Sequence, residues 1–484
     1  MTQLAVAEGV LHADPVRLTP LERLQRLCDR GTFEVLRSEV ASRSGRRSQP
    51  GDGLVAGAGT LGGRPVFAFA QDARFAGGSL GAAQADSIVR LMRMAEGAGA
   101  PIVAFVESAG ARIDEGIPAL AGYGQIFREQ VKLSGRVPQI AVVTGTSAGG
   151  GAYSPALGDF VIMTPESRMF LTGPGVVREV MGEDVTTAEL GGPGVQARNG
   201  VCHLEAADDA HAVDLARELV GYLGGKTAPA PARPSGEGRD PGAAVPEDQR
   251  KVYDVRAVVD ALADPGGALE IAPRWARNIV TSFARVGGRP VGFVANQPRH
   301  LGGVIDADAA QKAARFVRTC NAFGLPVVVL VDTPGFLPGT RQEAGGVIRH
   351  GAKLLYAFAE ATVPRITVVL RKAYGGGFIT MSSLALGADL VLAWPGAQIG
   401  VVGAPQAVGI LHRRELAAAA DPVAERDRLA ADYAERHLGA GVAAASGFVD
   451  EVVTPAETRG RLRWALQTVG GGERPRADRG NVPL

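Results

Sequence analysis

Apolar and polar positions follow the same succession twice along the chain. A β-rich apolar run, at 65–70 and again at 290–295, leads through a Gly-Gly pair into a stretch with helical periodicity. The apolar residues that share one helical face are Ile88, Leu91, Met92 and Ala95 in the first copy, and Ala310, Ala313, Ala314 and Val317 in the second. We therefore predict a strand followed by an amphipathic helix in each copy.

Each predicted helix is followed by an almost unbroken apolar run, at 101–106 and at 326–331. Another apolar run comes later, at 139–143 and at 365–370, and each of these ends at a cluster of glycines. Continuous apolar strands suit a sheet that is covered on both faces. The pattern predicts an α/β fold in which β-β-α units repeat and the loops gather at the strand ends.

The two copies are related by a constant spacing. The sequence Gly-Gly-Arg-Pro-Val begins at Gly62 and recurs at Gly287, and the pairs Pro101 with Pro326 and Glu107 with Asp332 keep the same spacing. Residues 225–249 between the copies are rich in Pro, Gly, Ala and charge, which predicts a linker rather than a core element. The chain therefore divides into two predicted domains, 1–235 and 236–484, and each is long enough to bury its own core.

Composition narrows the class of protein. With 51 basic and 50 acidic residues, the chain has no net field for holding a nucleic acid or an anionic membrane. Its three cysteines stand in no metal-binding or redox spacing, which favours reduced thiols and no metal site. No apolar run reaches the ~18 residues that span a bilayer, and residues 1–14 lack the features of a secretion signal. We predict a soluble, cytoplasmic protein.

Glycines concentrate where the later apolar run of each copy ends, at 145–154 and at 372–379. Glycine permits positive φ and a close approach of the backbone, so unpaired N–H groups can point at a ligand oxygen. A helix N-terminus behind the glycines favours negative charge, which is the chemistry of an oxyanion site. Neither cluster has the spacing of a phosphate loop or a dinucleotide fingerprint. A pair of tight strand-to-helix turns is the structural alternative.

A second loop ends the preceding strand in each copy. Residues 107–116 read Glu-Ser-Ala-Gly-Ala-Arg-Ile-Asp-Glu-Gly, and residues 332–339 read Asp-Thr-Pro-Gly-Phe-Leu-Pro-Gly. Each domain is thus expected to present two Gly-bearing loops at the same edge of its sheet. A nucleophilic triad finds little support, because the histidines are scattered and no Cys/His pairing appears. Backbone donors are the predicted chemistry.

Together these motifs resemble the β subunits of propionyl-CoA and acetyl-CoA carboxylases, a carboxyltransferase family of the crotonase-like superfamily. The motifs that carry the resemblance lie at 108–116, 153–157, 332–340, 345–353 and 371–376. The resemblance extends over nearly the whole chain. It implies an α/β fold of two tandem crotonase-like β-β-α superhelix domains.

The resemblance also implies roles for particular residues. In the N-terminal domain, the N–H groups of Gly149 and Gly150 would hold the thioester oxygen of an acyl-CoA. In the C-terminal domain, those of Gly376 and Gly377 would hold the ureido oxygen of carboxybiotin. The implied substrate-binding residues are Ser108, Ala109, Gly110, Ala111, Arg112, Ala148, Tyr153 and Ile379. The implied biotin-binding residues are Tyr374, Gly375 and Phe378.

Such enzymes transfer a carboxyl group from carboxybiotin to the α carbon of a short acyl-CoA, such as acetyl-, propionyl- or butyryl-CoA. The chain contains no Met-Lys-Met biotin attachment motif. The resemblance therefore implies carboxybiotin supplied in trans, with a biotin carboxylase and a biotin carboxyl carrier subunit as partners. It also implies a homo-oligomer, a hexameric ring, with no metal in this subunit.

The chain departs from these relatives at a few positions. Ala109 stands where relatives usually have glycine, and the N-terminal region lacks their basic helix. Ile379 stands where propionyl-CoA-type relatives have aspartate, which should shift the choice of acyl group towards acetyl-CoA or a range of short acyl groups. Two alternatives stay open: a biotin-dependent malonyl- or methylmalonyl-CoA decarboxylase subunit, and a catalytically silent ring subunit.

Overall fold

The structure is a computed structural model that describes residues 17–42, 48–223, 239–469 and 480–482. The chain divides into two compact units. The first comprises Met1–Leu133, Gln139–Gln196 and Leu204–Val220, and the second comprises Ser134–Pro138, Ala197–His203 and Gly221–Leu484, as far as these residues are described. The predicted domain boundary at 235 and the N-terminal segment before Arg17 lie outside the described residues.

The first unit is built on one mixed sheet. Its strands are β1 (Glu34–Leu36), β2 (Leu54–Leu61), β3 (Arg64–Gln71), β4 (Ile102–Ser108), β5 (Gln139–Ala148), β6 (Phe160–Met163), β7 (Arg168–Phe170) and β8 (Leu204–Glu205). Its helices are α1 (Pro20–Leu27), α2 (Ala82–Ala98), α3 (Ile117–Leu133), α4 (Gly150–Leu157), α5 (Pro174–Met181), α6 (Thr187–Gly191), α7 (Pro193–Gln196) and α8 (Asp209–Leu223). The strand order is β1-β2-β3-β4-β5-β6-β8, with β7 paired to β5. The pairing is antiparallel from β1 to β3 and parallel beyond.

The second unit repeats this plan. Its strands are β9 (Leu269–Glu270), β10 (Ile279–Val286), β11 (Arg289–Asn296), β12 (Val327–Thr333), β13 (Arg365–Tyr374), β14 (Leu390–Ala393), β15 (Gln398–Gly400) and β16 (Glu451–Val452). Its helices are α9 (Arg256–Leu262), α10 (Ala307–Phe323), α11 (Thr340–Ala344), α12 (Val347–Glu360), α13 (Gly375–Thr380), α14 (Ala404–Leu411), α15 (Arg413–Ala418), α16 (Pro422–His437), α17 (Ala440–Ala445) and α18 (Pro455–Thr468). The strand order is β16-β14-β13-β12-β11-β10-β9, with β15 paired to β13.

The predicted α/β architecture is confirmed, and so are its helical faces. All eight apolar positions predicted to face the sheet from α2 and α10 are buried. β4 and β12 are buried along almost their entire length, as expected for strands covered on both faces. None of the helices in the described ranges is long and apolar enough to cross a membrane.

Short 3₁₀ turns join several of these elements. They span Pro50–Gly53, Ala76–Gly78, Ile113–Glu115, Pro241–Ala244, Leu301–Gly303 and Leu384–Leu386. The turn Pro241–Ala244 corrects one expectation, because Ala244 and Val245 pack against the apolar core of the second unit. The prediction that 225–249 contributes nothing to a core is therefore wrong for its end after residue 238, and residues 225–238 lie outside the described part.

Candidate functional site

In the first unit two loops meet at the carboxyl end of the sheet. β4 and β5 run parallel, and Ser108 at the end of β4 pairs with Ser147 near the end of β5. The loop after β4 therefore lies against the start of α4. The approach is close, since a Cβ atom on Gly110 would lie 3.5 Å from the carbonyl oxygen of Ala148. The expected meeting of the two Gly-bearing loops is confirmed in this unit.

The backbone turns sharply between β5 and α4. Gly149 has φ 57° and ψ −123°, which side chains of L-residues rarely adopt, and α4 begins at the next residue. The Gly149 N–H donates to the carbonyl oxygen of Phe170 at 3.2 Å, which ties the turn to the end of β7. This hydrogen bond uses the group that was expected to hold a thioester oxygen. Gly149 therefore shapes the turn, and the donor role does not fit it in this structure.

Two other N–H groups at the same edge are available. Among the described residues, the N–H of Gly150 in the first turn of α4 and the N–H of Ala111 in the loop have no hydrogen-bond acceptor. The backbone around Ala111 is held, because Leu80 N–H donates to Gly110 at 2.8 Å and Arg112 N–H donates to Leu80 at 2.9 Å. A fixed loop N–H beside a helix N-terminus is the arrangement that an oxyanion requires.

The polar side chains beneath this turn are hydroxyls. Ser108 Oγ and Tyr123 Oη lie 3.1 Å apart. The Tyr123 ring packs so closely that a Cβ atom on Gly150 would lie 2.8 Å from it. Burial raises the pKa of Tyr123 above its ordinary value. Neither hydroxyl is a base at neutral pH, so these side chains can orient a ligand but cannot remove its proton.

The remaining expected residues of the first unit take different positions. Ala109 is exposed in the loop, and its N–H donates to the carbonyl oxygen of Gly77 at 3.2 Å. Ala148 is half-buried at the end of β5. Tyr153 lies on α4 with 51% of its surface exposed, and its ring is 6.3 Å from that of Phe127. Ala109 and Ala148 thus border the donors, whereas Tyr153 lies further along the helix.

Arg112 is an exception to the expected set. Its guanidinium donates to Asp52 at 2.8 Å, to Glu115 at 2.7 Å and to the carbonyl oxygen of Ser79 at 3.1 Å. Only 4% of the Arg112 side chain is exposed, and both carboxylates are fully buried. A guanidinium held in this way is not available to a substrate. In this structure Arg112 is an internal anchor for the loop, and its substrate-binding role stays a prediction.

The second unit repeats the geometry. α13 begins at Gly375, whose φ of 55° matches that of Gly149. Among the described residues, the N–H groups of Gly376 and of Phe336 have no hydrogen-bond acceptor. Gly376 is exposed, whereas Gly377 is buried with its ideal Cβ position 2.8 Å from the Cα of Gly335. Phe336 corresponds to Ala111 at the spacing that relates the two copies, so the repeat could have identified this donor from the sequence.

A pocket of about 610 Å³ opens beside Gly375 and Gly376. Its walls are mainly apolar and include Phe378, Ile379, Leu384, Ile399, Val401 and Phe448. Tyr374 lies next to these glycines, and its Oη donates to Gln398 at 2.5 Å. Burial raises the pKa of Tyr374 to about 12, so its phenol stays protonated. The pocket suits a compact, largely apolar ring with a polar oxygen at the helix N-terminus.

Two units of one plan, each with a loop N–H beside a helix N-terminus, define the crotonase-like class, in which backbone donors hold a developing oxyanion. The chain belongs to the family described as the carboxyl transferase domain, whose pattern matches residues 12–479. The predicted family and its enzyme class, the carboxyltransferase subunits of acyl-CoA carboxylases, are confirmed.

Two relatives are each 46% identical to this chain. One is the putative propionyl-CoA carboxylase beta chain of Bacillus subtilis, with 97% of this chain and 94% of the relative covered. The other is the methylmalonyl-CoA carboxyltransferase 12S subunit of Propionibacterium freudenreichii, with 96% and 91% covered. A solved structure of transcarboxylase 12S, described as a hexamer with methylmalonyl-coenzyme A bound, matches with a TM-score of 0.91 at 45% identity, covering 97% of this chain and 92% of the other.

Proposed function

We propose that the chain is a cytoplasmic carboxyltransferase subunit that moves a carboxyl group from carboxybiotin to the α carbon of a short-chain acyl-CoA. The N-terminal half, 1–235, takes the acyl-CoA, and the C-terminal half, 236–484, takes carboxybiotin. One observation carries the proposal. Each unit presents a helix-terminal glycine N–H and a loop N–H without an acceptor at the same edge of its sheet, as far as the described residues show.

In the first unit, the N–H groups of Gly150 and Ala111 are the donors for the thioester oxygen. The α-hydrogen of a thioester is weakly acidic, so negative charge that moves onto this oxygen must be stabilised as the enolate forms. Each preorganised donor of this kind contributes on the order of 3 kcal/mol to the transition state. The placement differs from the sequence prediction by one residue, because the N–H of Gly149 already bonds to Phe170.

In the second unit, the N–H groups of Gly376 and Phe336 are the donors for the ureido oxygen, with Gly377 packed beneath them. Tyr374, Gly375 and Phe378 shape the surrounding wall. When bound, carboxybiotin supplies CO₂ and, once that is released, a basic ureido nitrogen. Ser108 and Tyr123 offer hydroxyl groups and no base. This agrees with the proposal, because the ureido nitrogen would supply the base and the chain itself would only have to stabilise the oxyanions.

The proposed partners follow from the assignment of acyl-CoA to one half of the chain and carboxybiotin to the other. We propose that a biotin carboxylase and a biotinylated carrier subunit deliver carboxybiotin in trans, and that the chain assembles as a hexamer. Similarity to a 12S structure described as a hexamer with methylmalonyl-coenzyme A supports the assembly and the class of substrate. No metal takes part in this proposal. Ile379 borders the pocket that we assign to biotin, with 47% of its surface exposed, and its proposed influence on the choice of acyl group rests on the family resemblance.

The reaction is tested by mixing the chain with biotin carboxylase, biotinylated carrier, ATP, bicarbonate and a panel of acetyl-, propionyl- and butyryl-CoA. Mass spectrometry should show the gain of one carboxyl group on at least one ester, dependent on this chain. A carrier that is carboxylated on its biotin, with no carboxyl group appearing on any of the esters, would contradict the proposal. Loss of CO₂ from malonyl-CoA onto biotin, with no forward transfer, would favour the decarboxylase instead.

The donor assignment is tested at Gly376. Gly376→Pro removes the N–H and should lower kcat by about 100-fold or more. Gly376→Ala is the matched control, because it retains the N–H and its Cβ would lie 3.8 Å from the Phe336 ring, an ordinary contact. Equal activity of the proline variant and the wild type would exclude Gly376 as a donor, and equal loss in both variants would point to sterics.

A further inference from the structure

Each unit places a carboxylate at the end of the strand that leads into its donor loop. Glu107 in β4 and Asp332 in β12 are counterparts at the spacing that relates the two copies. The backbone N–H of each is held by an amide side chain on the neighbouring strand, Gln71 Oε1 at 3.1 Å and Asn296 Oδ1 at 3.3 Å. Gln71 and Asn296 are counterparts at the same spacing. Both units therefore fix this strand end in the same way.

The cations that face these carboxylates come from different places. In the second unit, Arg371 Nε donates to Asp332 Oδ2 at 2.8 Å, with 4% and 0% of the two side chains exposed. In the first unit, Glu107 forms an ion pair with Arg17, just before α1, and lies 4.0 Å from a nitrogen of Arg23 within α1. An ion pair thus recurs at one point of the fold, buried in the second unit and partly exposed at Arg17 in the first, although its basic partner does not recur.

The different origin of the cation has a steric basis. β5 and β13 are strands of equal length, and Gly145 occupies the same place in β5 that Arg371 occupies in β13. A Cβ atom on Gly145 would lie 2.3 Å from Glu107 Oε1. Glycine therefore leaves the space that the longer Glu107 side chain fills, and Arg17 just before α1 and Arg23 within it provide the cations that β5 lacks.

Arg371 joins several segments beneath the second donor loop. Its Nη1 donates to the carbonyl oxygens of Pro246 at 3.4 Å, Asp248 at 3.1 Å and Lys251 at 2.9 Å. Its guanidinium carbon lies 4.7 Å from the centroid of the Tyr253 ring. The guanidinium thus fastens the end of β12, from which the donor loop starts, to residues 246–253.

We propose that Asp332 with Arg371, and Glu107 with Arg17 and Arg23, are positioning groups that set the two donor loops independently. Each carboxylate precedes the loop donor of its unit by four residues, Phe336 in one case and Ala111 in the other. Asp332 is fully buried and Glu107 is 9% exposed, and we assign neither carboxylate a contact with substrate. This inference rests on the proposed function, because it assigns one substrate to each group. Disturbing one group should weaken the binding of one substrate and leave the other unchanged.

The test measures transfer from malonyl- or methylmalonyl-CoA, whichever the wild type uses, to free biotin, so no partner protein is needed. Arg371→Lys keeps the charge and loses the planar fork. We expect it to raise the KM for biotin about tenfold and to change the KM for the CoA ester less than twofold. Glu107→Gln should do the reverse and raise the KM for the CoA ester while leaving the KM for biotin nearly unchanged. Its charge is lost, but Arg23 keeps Asp209 as a partner at 2.7 Å.

The matched control is Arg459→Lys. Arg459 and Asp264 form a similarly buried pair at 2.9 Å in the second unit. Asp264 accepts from the N–H groups of Gly287 and Gly288, so this pair lies at the opposite end of β11 from Asn296. This variant should leave both KM values unchanged. Equal changes of both KM values in Arg371→Lys, or the same split in the control, would overturn the inference.

A second variant covers the possibility that Arg371→Lys does not fold. Tyr253→Leu removes the ring over the guanidinium without leaving a charge unpaired, and should raise the KM for biotin about threefold with no effect on the CoA ester. An unchanged KM for biotin in this variant would also overturn the inference. The wild-type chain is assayed first. If it transfers no carboxyl group, the proposed function itself is overturned before any variant is compared.

Discussion

The two donor loops have the same backbone and are held by different side chains. In the first, Arg112 lies between Asp52 and Glu115, and all three are buried. In the second, the corresponding position is Leu337, and prolines occur on both sides of it at Pro334 and Pro338. One loop is thus anchored by buried charges, one of them 60 residues away in the chain, and the other contains two prolines that restrict its torsion angles.

The backbone hydrogen bonds of the two loops agree in spite of this difference. Arg112 N–H donates to Leu80 at 2.9 Å, and Leu337 N–H donates to Ile305 at 2.8 Å. In return, the N–H groups of Leu80 and Ile305 donate to the carbonyl oxygens of Gly110 and Gly335, respectively. Function therefore depends on where the loop N–H points, and two unrelated sets of side chains achieve the same direction. The ionic loop should be the more sensitive of the two to single substitutions.

The largest effect is expected at Arg112. Arg112→Met leaves Asp52 and Glu115 buried without a cation, and breaking a buried pair in this way costs about 3–5 kcal/mol of unfolding free energy. Leu337→Met, at the matching position, preserves an apolar side chain of similar volume and should cost less than about 1.5 kcal/mol. Urea denaturation followed by circular dichroism measures both. Similar midpoints for the two variants would contradict the ionic anchor.

A medium effect is expected at Gly145, the counterpart of Arg371. An added methyl would meet the Glu107 carboxylate, so Gly145→Ala should displace that side chain at a cost of about 1–3 kcal/mol and raise the KM for the CoA ester. Gly124→Ala in α3 is the control. It meets nothing within 4 Å, and alanine there should stabilise the helix by about 0.5–1 kcal/mol. Equal behaviour of the two variants would remove Gly145 from the comparison.

Much of the fold could be predicted because its signals are local and occur twice. The periodicity at Ile88, Leu91 and Met92 identified α2, and continuous apolar runs identified β4 and β12. A constant spacing then paired the elements of the two halves. The end of the expected linker escaped prediction because Ala244 and Val245 are short apolar residues in a polar segment, and only the folded core shows that they are buried.

The site could be predicted at the level of segments and less well at the level of atoms. Glycine clusters at strand ends located both helix N-termini. The engagement of the Gly149 N–H depends on Phe170 in β7, which sequence spacing does not reveal. The anchoring role of Arg112 depends on Asp52, which is 60 residues away in the chain. Glu115 is only three residues from Arg112, so it was the one local signal of that network.

The smallest effect is expected at Asp52, where the two loops differ in their response to pH. Burial raises the pKa of Asp52 above the ordinary value of 3.8, although Arg112 opposes the shift. The folded chain therefore binds this proton more tightly than the unfolded chain does. The resulting contribution to stability is complete below pH 3.8 and is lost as pH rises through the raised pKa.

Asp52→Asn removes this titration and keeps the shape of the side chain, and asparagine tolerates the positive φ of 49° at this position. At pH 7 the variant should lose about 1 kcal/mol of unfolding free energy, because it gives up one charged hydrogen bond to Arg112. The loss is small because Glu115 remains as a carboxylate partner of the same guanidinium. On acidification the wild type should gain stability relative to the variant, whereas Leu337→Asn in the second loop should show no such trend. Urea midpoints between pH 7 and the acid range measure this difference. If the difference in urea midpoint between the wild type and Asp52→Asn stayed constant with pH, the loop that contains Arg112 would be no more sensitive to protons than the loop that contains Leu337. The contrast between the two loops would then be one of packing alone.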